Sequence, residues 1–226
     1  MTRAHGWIPE PREFSLGRVD MGRGVTLLPS VELPFPPIRD QGQHPSCVGF
    51  AISRALHIRA LVQRTVNARP FAPSWLWYWG RRDPKLETGM TLSGAFGALT
   101  ERGCPAEEWC PYPLPDGKAP PDEAGQHAYD QIGAFGARPV YGSHDILCAL
   151  SLGYPVVLGT VQRHGGPHAT VLAGYTSGGR VREDNSWGVD WEQGGSTTLD
   201  AEYLDTDDVL GAWAVTWTPS PSEDAR

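Results

Sequence analysis

The chain has 226 residues, a mass of 24.6 kDa and a formal net charge of −7, which suits one large domain or two lobes around a substantial core. Its negative charge disfavours nucleic acid as a partner, and no apolar run approaches the roughly 18 residues of a transmembrane helix. The 27 glycines and 21 prolines predict a loop-rich fold rather than a helical bundle.

Four cysteines, Cys47, Cys104, Cys110 and Cys148, are too few and too scattered for a disulfide scaffold in a chain of this length. The N-terminus lacks a hydrophobic signal core, so we expect a reducing compartment, the cytoplasm. A disulfide between Cys104 and Cys110 stays open as an alternative to two reduced thiols. The Cys/His spacing typical of zinc is absent, and we expect neither a metal nor a cofactor.

The first half of the chain predicts helices. Residues 1–30 have little periodicity and predict an extended segment, and the prolines of residues 31–45 predict a loop. From the N-cap Ser46, apolar residues recur every three or four positions through residues 47–64, which predicts the first helix. Further helices are predicted at residues 74–81, 92–102 and 143–152, with residues 103–125 as a loop.

The second half predicts strands, because β-branched and apolar runs alternate with turn residues. Gly178-Gly179 predicts a turn between two of these strands. Helices followed by strands predict an α+β protein of two lobes with a cleft between them. The predicted strands cover residues 155–161, 168–175, 180–186, 197–199 and 213–218, and residues 219–226 are predicted to be a disordered tail.

Cys47 opens the most regular predicted helix, where the helix N-terminus stabilises a thiolate. A lone cysteine of this kind is more often a small buried hydrophobe, but three other residues favour chemistry. The amide of Gln41 lies where it would donate to an oxyanion. His168 begins an apolar strand, and Asn185 would reach and orient it if the two strands pair across the turn. Trp187 would shield that hydrogen bond from water.

Three motifs, in this order, resemble those of the papain-like cysteine peptidases. Residues 41–50, QGQHPSCVGF, are similar to the family's Gln-Gly-x-x-Gly-Ser-Cys-x-x-Phe signature. Residues 168–171, HATV, resemble its His-Ala-Val strand, and residues 185–188, NSWG, with Trp191 and Gly195, resemble its Asn-Ser-Trp-Gly-x-x-Trp motif. The resemblance covers about residues 28–217.

This resemblance implies an α+β, papain-like two-lobed fold for a catalytic domain of residues 31–218. A helical lobe of about residues 46–140 would carry the nucleophile helix, and an antiparallel β lobe of about residues 141–218 would face it across an active-site cleft. Cys47 would be the nucleophile, His168 the base and acid, Asn185 the residue that orients His168, and Gln41 part of the oxyanion hole. The residues that would bind substrate are Gly89, Met90, Thr91, Ala169 and Trp187.

The chain also departs from the family pattern around the nucleophile. His44 stands where secreted relatives have a disulfide cysteine, Pro45 replaces a glycine and Val48 replaces a tryptophan, which implies a narrower or different substrate. Residues 6–9 and 28–31 resemble the bacterial branch of the family without a long propeptide. Because no long helical segment precedes Cys47, we expect no inhibition by a cleaved prodomain.

Three functions follow from these residues. The first is hydrolysis of a peptide or amide bond through an acyl-enzyme on Cys47. The second is an acyltransferase or amide ligase of specialised metabolism, which would resolve the acyl-enzyme with an amine and would have a carrier protein as a partner. The third is a binding module without catalysis, because fold alone does not decide function. We expect a peptide or acyl substrate and neither a nucleic acid nor a membrane as partner; the oligomeric state stays open.

Overall fold

A computed structural model describes residues 4–10, 24–64, 68–83, 88–114 and 118–217. The predicted tail, residues 219–226, and residues 1–3 and 11–23 of the predicted extended segment lie outside the described residues. Within the described part of the chain, no helix has both the length and the apolar character needed to cross a membrane.

The described residues form five α-helices, and the first is the centre of the helical lobe. Most of its residues are buried, among them the fully buried Leu56 and Ile58, because its apolar side chains cover more than one face. The helices are α1 (Cys47–Val62), α2 (Pro73–Trp79), α3 (Leu92–Arg102), α4 (Asp122–Tyr129) and α5 (Gly142–Ser151), with short 3₁₀ turns at Glu107–Trp109 and Ala201–Asp205.

The prediction of a loop over residues 103–125 is wrong at its end, because α4 begins at Asp122. The buried side of α4 consists of Ala124 and Ala128 alone, so its apolar stripe is too small to show as a hydrophobic period. Asp122 and Glu123 occupy the first turn, where negative charge favours a helix.

Seven strands of the described residues form one antiparallel sheet in the order β2-β7-β3-β4-β5-β6, with β1 paired to β4. As predicted, β4 and β5 pair across the Gly178-Gly179 turn, and Val171 lies opposite Asp184. The strands are β1 (Val31–Glu32), β2 (Phe135–Pro139), β3 (Val156–Thr160), β4 (His168–Tyr175), β5 (Arg180–Asp184), β6 (Ser196–Asp200) and β7 (Val209–Trp217).

The sheet packs against the helical layer chiefly through α1, which contacts β4, β7 and β3 as well as α2. A buried ion pair crosses this junction, because Arg54 of α1 places Nη2 2.8 Å from Oδ2 of Asp184 in β5. The predicted α+β architecture of two lobes is therefore confirmed, and the start of α1 lies where the lobes meet.

Candidate active site

Cys47, the first residue of α1, is completely buried at the junction of the lobes. Backbone N–H groups of Ala169 in β4 and of Gly6 point to its sulfur. Burial raises the pKa of the Cys47 thiol to about 11, and those N–H groups only partly oppose the rise. In this state the thiol is neutral at physiological pH.

His168 and Asn185 come together as the sequence predicted, with His168 Nε2 2.8 Å from Asn185 Oδ1. The backbone N–H of Ser186 also donates to that Oδ1, at 2.7 Å, so the atom is an acceptor and Nε2 of His168 carries the proton. Nδ1 is thereby left as the basic nitrogen, and it has no hydrogen-bond partner in the described residues. The Trp187 ring covers the imidazole, with ring centroids 4.5 Å apart.

The imidazole of His168 is held neutral. The pKa of His168 is lowered to about 3, chiefly by burial; the hydrogen bond with Asn185 and the charge of Glu183 only partly oppose this, and the neighbouring His164 and His5 add to the lowering. The imidazole and the Cys47 thiol are therefore both neutral in this state, rather than the ion pair that activates a cysteine.

The side-chain amide of Gln41 is fixed at both ends. Its Oε1 accepts a hydrogen bond from Ser186 Oγ at 2.6 Å, and its Nε2 donates to the carbonyl of His44 at 2.9 Å. These two contacts leave one N–H of Nε2 facing the cleft, where it donates to the carbonyl of Ala4 at 3.2 Å. Gln41 thus presents a donor to a peptide carbonyl.

The cleft is filled by the chain's own N-terminal segment (residues 4–10). The carbonyl of Gly6 accepts a hydrogen bond from the Met90 N–H at 2.9 Å, and the Ile8 N–H donates to the Met90 carbonyl at 3.0 Å. Further along, the carboxylate of Glu10 accepts the Ser93 N–H at 3.0 Å, at the first turn of α3. The sequence indicated an extended segment but carried no sign that it lies over Cys47.

Two of the residues expected to bind substrate line this contact through their backbone. Gly89 lies so close to the Gly6 carbonyl that a side chain at position 89 would collide with it. Met90 makes both hydrogen bonds to the N-terminal segment, while its side chain is buried against Gly49 and Gly80. Thr91 instead accepts the N–H of Gly94 at 2.9 Å and caps α3.

A buried carboxylate behind His168 was missed by the sequence analysis. Glu183 accepts hydrogen bonds from Arg163 Nε, His164 Nε2 and Thr170 Oγ1 at 2.8, 2.8 and 2.9 Å. Burial raises the pKa of Glu183, but His164 and Arg163 more than offset it and hold the pKa at about 2. Four of the five residues of β5, RVRED, are charged, so nothing in the sequence distinguished Glu183 from its neighbours.

The chain matches no protein-family model and no curated protein sequence. Its structure is similar to that of xylellain, a cysteine protease from Xylella fastidiosa, with a TM-score of 0.82 and 20% identity over 97% of this chain and 99% of that one. Procathepsin B S9 from Trypanosoma congolense (TM-score 0.74, 16% identity, 96% and 87% covered) and recombinant stem bromelain precursor (0.73, 15%, 96% and 78%) are also similar.

Proposed function

From the papain-like cysteine peptidase fold that this chain shares with those structures, we propose that it hydrolyses peptide or amide bonds through an acyl-enzyme on Cys47. The shared fold makes cysteine peptidase chemistry the first function to test. Because the identities are 20% or below, the argument for chemistry rests on the residues that line this cleft.

In the proposed reaction, the Cys47 thiol proton passes to Nδ1 of His168 as the sulfur bonds to the substrate carbonyl carbon. The oxyanion that forms is stabilised by the Gln41 Nε2–H and by backbone N–H at the start of α1. The C–N bond then breaks, and His168 gives its proton to the leaving amine. Water, deprotonated by His168, hydrolyses the thioester and restores the thiol, while Asn185 holds the ring in one tautomer throughout.

The observation that carries this proposal is the peptide already in the cleft. The N-terminal segment is extended, pairs with the Met90 backbone and gives the Ala4 carbonyl to Gln41, beside the buried sulfur of Cys47. A cleft that binds an extended peptide, and in which Gln41 donates a hydrogen bond to one of its carbonyls, is suited to acyl transfer from peptides.

The N-terminal segment must leave before a substrate enters. Its departure would return water to Cys47 and His168, and with it remove most of the desolvation that holds both groups neutral. The described state is accordingly proposed to be a covered, inactive one.

The test is the intact mass of full-length protein after exposure to a peptidyl epoxysuccinate, compared among wild type, Cys47→Ala and Trp7→Ala. We expect one adduct on the two proteins that retain Cys47, formed faster on Trp7→Ala, and none on Cys47→Ala. A folded Trp7→Ala protein that forms no adduct would contradict the proposal.

Transfer of the acyl group to an amine would use the same residues, so only the products separate it from hydrolysis. Mass analysis of products with and without an added amine or an acyl-carrier protein makes that distinction. A reducing compartment such as the cytoplasm is part of the proposal, supported by four free cysteines, with Cys104 and Cys110 unbridged.

A further inference from the structure

A buried carboxylate lies on the same face of the sheet as His168. Glu183 of β5 faces Leu172 of β4 in the register of these strands. Because side chains alternate along a strand, this register puts Glu183 on the same face as Thr170 and His168. Thr170 Oγ1 donates to Glu183 Oε1 at 2.9 Å. The Glu183 carboxylate is completely buried, so its charge is balanced by the groups that contact it rather than by water.

The loop between β3 and β4 supplies two nitrogen donors to Glu183. Arg163 Nε lies 2.8 Å from Oε2, and His164 Nε2 lies 2.8 Å from Oε1. Asp208 holds the same loop from another side, since its carboxylate accepts the backbone N–H groups of Gln162 at 2.7 Å and Arg163 at 3.1 Å. The position of His164 is therefore fixed by contacts to two carboxylates.

The His164 ring meets the imidazole of His168. Their ring centroids are 5.2 Å apart with the planes at 71°, and only 5% of the His164 side chain is exposed, so water screens this contact little. Nε2 of His164 donates to the ionised Glu183 carboxylate and carries a proton in either charge state. Nδ1 is then the atom that gains or loses a proton.

The two charges act on His168 in opposite directions. Burial is the main reason that the pKa of His168 is low in the covered state; beyond it, a positive charge on His164 lowers this pKa and the charge of Glu183 raises it. When the N-terminal segment leaves, the effect of burial falls. Glu183 and His164 stay in place, because the hydrogen bonds that hold them join β4, β5 and the loop between β3 and β4.

The titratable and charged groups around the two imidazole rings come from several elements. They are His5 of the N-terminal segment, Arg163 of the loop before β4 and Glu183 of β5, and α1 contributes Cys47, the proposed partner of His168. His5 departs with the segment, and Arg163 keeps its charge at every accessible pH. Since histidine is the residue type that changes charge near neutral pH, His164 is the member of this set whose charge can vary while the cleft is open.

We propose that Glu183 and His164 are positioning residues that set the charge on His168 once the cleft is open. Glu183 stabilises the imidazolium of the ion pair between Cys47 and His168, and a proton on His164 cancels that stabilisation. Cys47 should therefore have two levels of reactivity, a high one with His164 neutral and a lower one with His164 protonated. The inference rests on the proposed function for its catalytic meaning, but the reactivity of Cys47 is measurable without turnover.

The first experiment measures alkylation of Cys47 by iodoacetamide between about pH 4 and pH 8 in full-length Trp7→Ala protein, where the N-terminal segment has lost its buried indole. We expect the rate to rise in two steps with pH, one as the ion pair forms and one as His164 loses its proton. His164→Gln keeps an N–H for Glu183 but cannot gain a proton. In this variant the His164 step should vanish, and the rate near pH 5 should rise about fivefold.

Two controls accompany this measurement. Cys47→Ala in the same background gives the alkylation rate of the other cysteines. His144→Gln, which removes an exposed histidine of α5, is the matched control and should leave both steps in place. An unchanged rate at the acidic end in a folded His164→Gln protein would contradict the proposal.

The second experiment follows the His168 ring directly, by NMR titration of histidine-labelled protein that carries Trp7→Ala and Cys47→Ala. The His168 signal is assigned by its loss in His168→Gln. His164→Gln should raise the midpoint of the His168 titration and Glu183→Gln should lower it, each by about one pH unit. A general loosening of the structure would move both variants in the same direction, so opposite shifts report the two charges.

Glu202→Gln, which removes an exposed acid, is the control for Glu183→Gln, and thermal unfolding checks that each variant folds. If Glu183→Gln does not fold, His164→Gln alone decides, and a His168 midpoint that does not rise in that variant overturns the proposal.

Turnover of peptides in the Trp7→Ala background separates this inference from the proposed function. Opposite shifts of the His168 midpoint in a protein that cleaves no peptide overturn the hydrolase and leave the positioning roles standing. Cleavage with unchanged midpoints in both variants overturns the positioning roles and leaves the hydrolase standing.

Discussion

Ser186 connects the side chains of Asn185 and Gln41. The Ser186 backbone N–H donates to Asn185 Oδ1, and its hydroxyl donates to Gln41 Oε1. The Ser186 carbonyl accepts a hydrogen bond from the backbone N–H of Gln41 at 2.8 Å. One buried serine therefore orients both the residue that holds His168 and the amide proposed for the oxyanion hole.

Ser186→Ala should lower kcat about tenfold with little change in KM, because the Gln41 amide loses the contact that fixes its rotation. The expected loss is smaller than the roughly 100-fold or greater cost of deleting an oxyanion donor outright. Steady-state kinetics in the Trp7→Ala background would measure it, and Ser186→Thr, which keeps the hydroxyl, should recover most of the rate. Alkylation of Cys47 by iodoacetamide should stay unchanged; slowed alkylation would indicate a disturbed nucleophile instead.

His168→Ala should reduce turnover more than Asn185→Ala. In the proposed mechanism His168 transfers the proton, a role worth roughly 100- to 10,000-fold, whereas Asn185 only orients the ring through one hydrogen bond. Measured in the same Trp7→Ala background, the two rate constants should differ at least tenfold. The reverse order would contradict the assigned roles.

At the scale of elements, two side chains hold the N-terminal segment in addition to its backbone pairing with Met90. The indole of Trp7 is buried over Gly159 and Gly211 of the sheet, and Glu10 accepts the Ser93 backbone N–H where the positive end of the α3 dipole favours a carboxylate. These two anchors keep the segment over Cys47.

Weakening either anchor should expose the thiol. We expect Trp7→Ala to accelerate alkylation of Cys47 by iodoacetamide at least tenfold and Glu10→Gln a few-fold. The buried indole of Trp7 should hold the segment more strongly than the single hydrogen bond of Glu10 at the start of α3. Glu101→Gln, an exposed acid near the other end of α3, is the control. Rates equal to wild type in both anchor variants would show that the segment does not limit access.

At the scale of the whole molecule, the two lobes are joined by Arg54. Its guanidinium bonds to Asp184 across the junction and also donates to the Pro36 carbonyl at 2.9 Å. Removing one partner of a buried pair leaves the other charge uncompensated, at a cost of about 3–5 kcal/mol.

Arg54→Met should therefore lower the free energy of unfolding by about 3 kcal/mol or more in urea titrations. Arg180→Met breaks an ion pair with Asp200 whose side chains are 45% and 68% exposed, and it should cost less than about 1 kcal/mol. Equal losses in the two variants would contradict the role of Arg54 as a connection between lobes.

Stability should also fall in acid through Glu183. Its pKa is about 2 in the folded protein against an ordinary 4.5, so its contribution is complete above pH 4.5 and is lost as the pH falls towards 2. The shift corresponds to a contribution on the order of 3 kcal/mol. Glu183→Gln should be less stable than wild type at pH 7, and the difference should shrink below pH 4.5; a difference independent of pH would exclude this linkage.

The predictions that succeeded rest on local patterns. The apolar spacing of residues 47–64 predicted α1, which ends two residues earlier, at Val62. The turn at Gly178-Gly179 predicted the pairing of β4 with β5, and that pairing alone brought Asn185 to His168. The alanine face of α4 and the Gly- and Pro-containing β2 gave too weak a period to be found.

By itself, the sequence determined the two-lobed fold class, the helix that begins at Cys47 and the strands that carry His168 and lead to Asn185, because periodicity, caps and turns act between near neighbours. Only the tertiary structure decided that residues 4–10 cover the cleft. The contacts responsible join Gly6 to Met90 and Trp7 to Gly159. Such pairs are distant in sequence and complementary in shape, and neither property leaves a periodic trace along the chain.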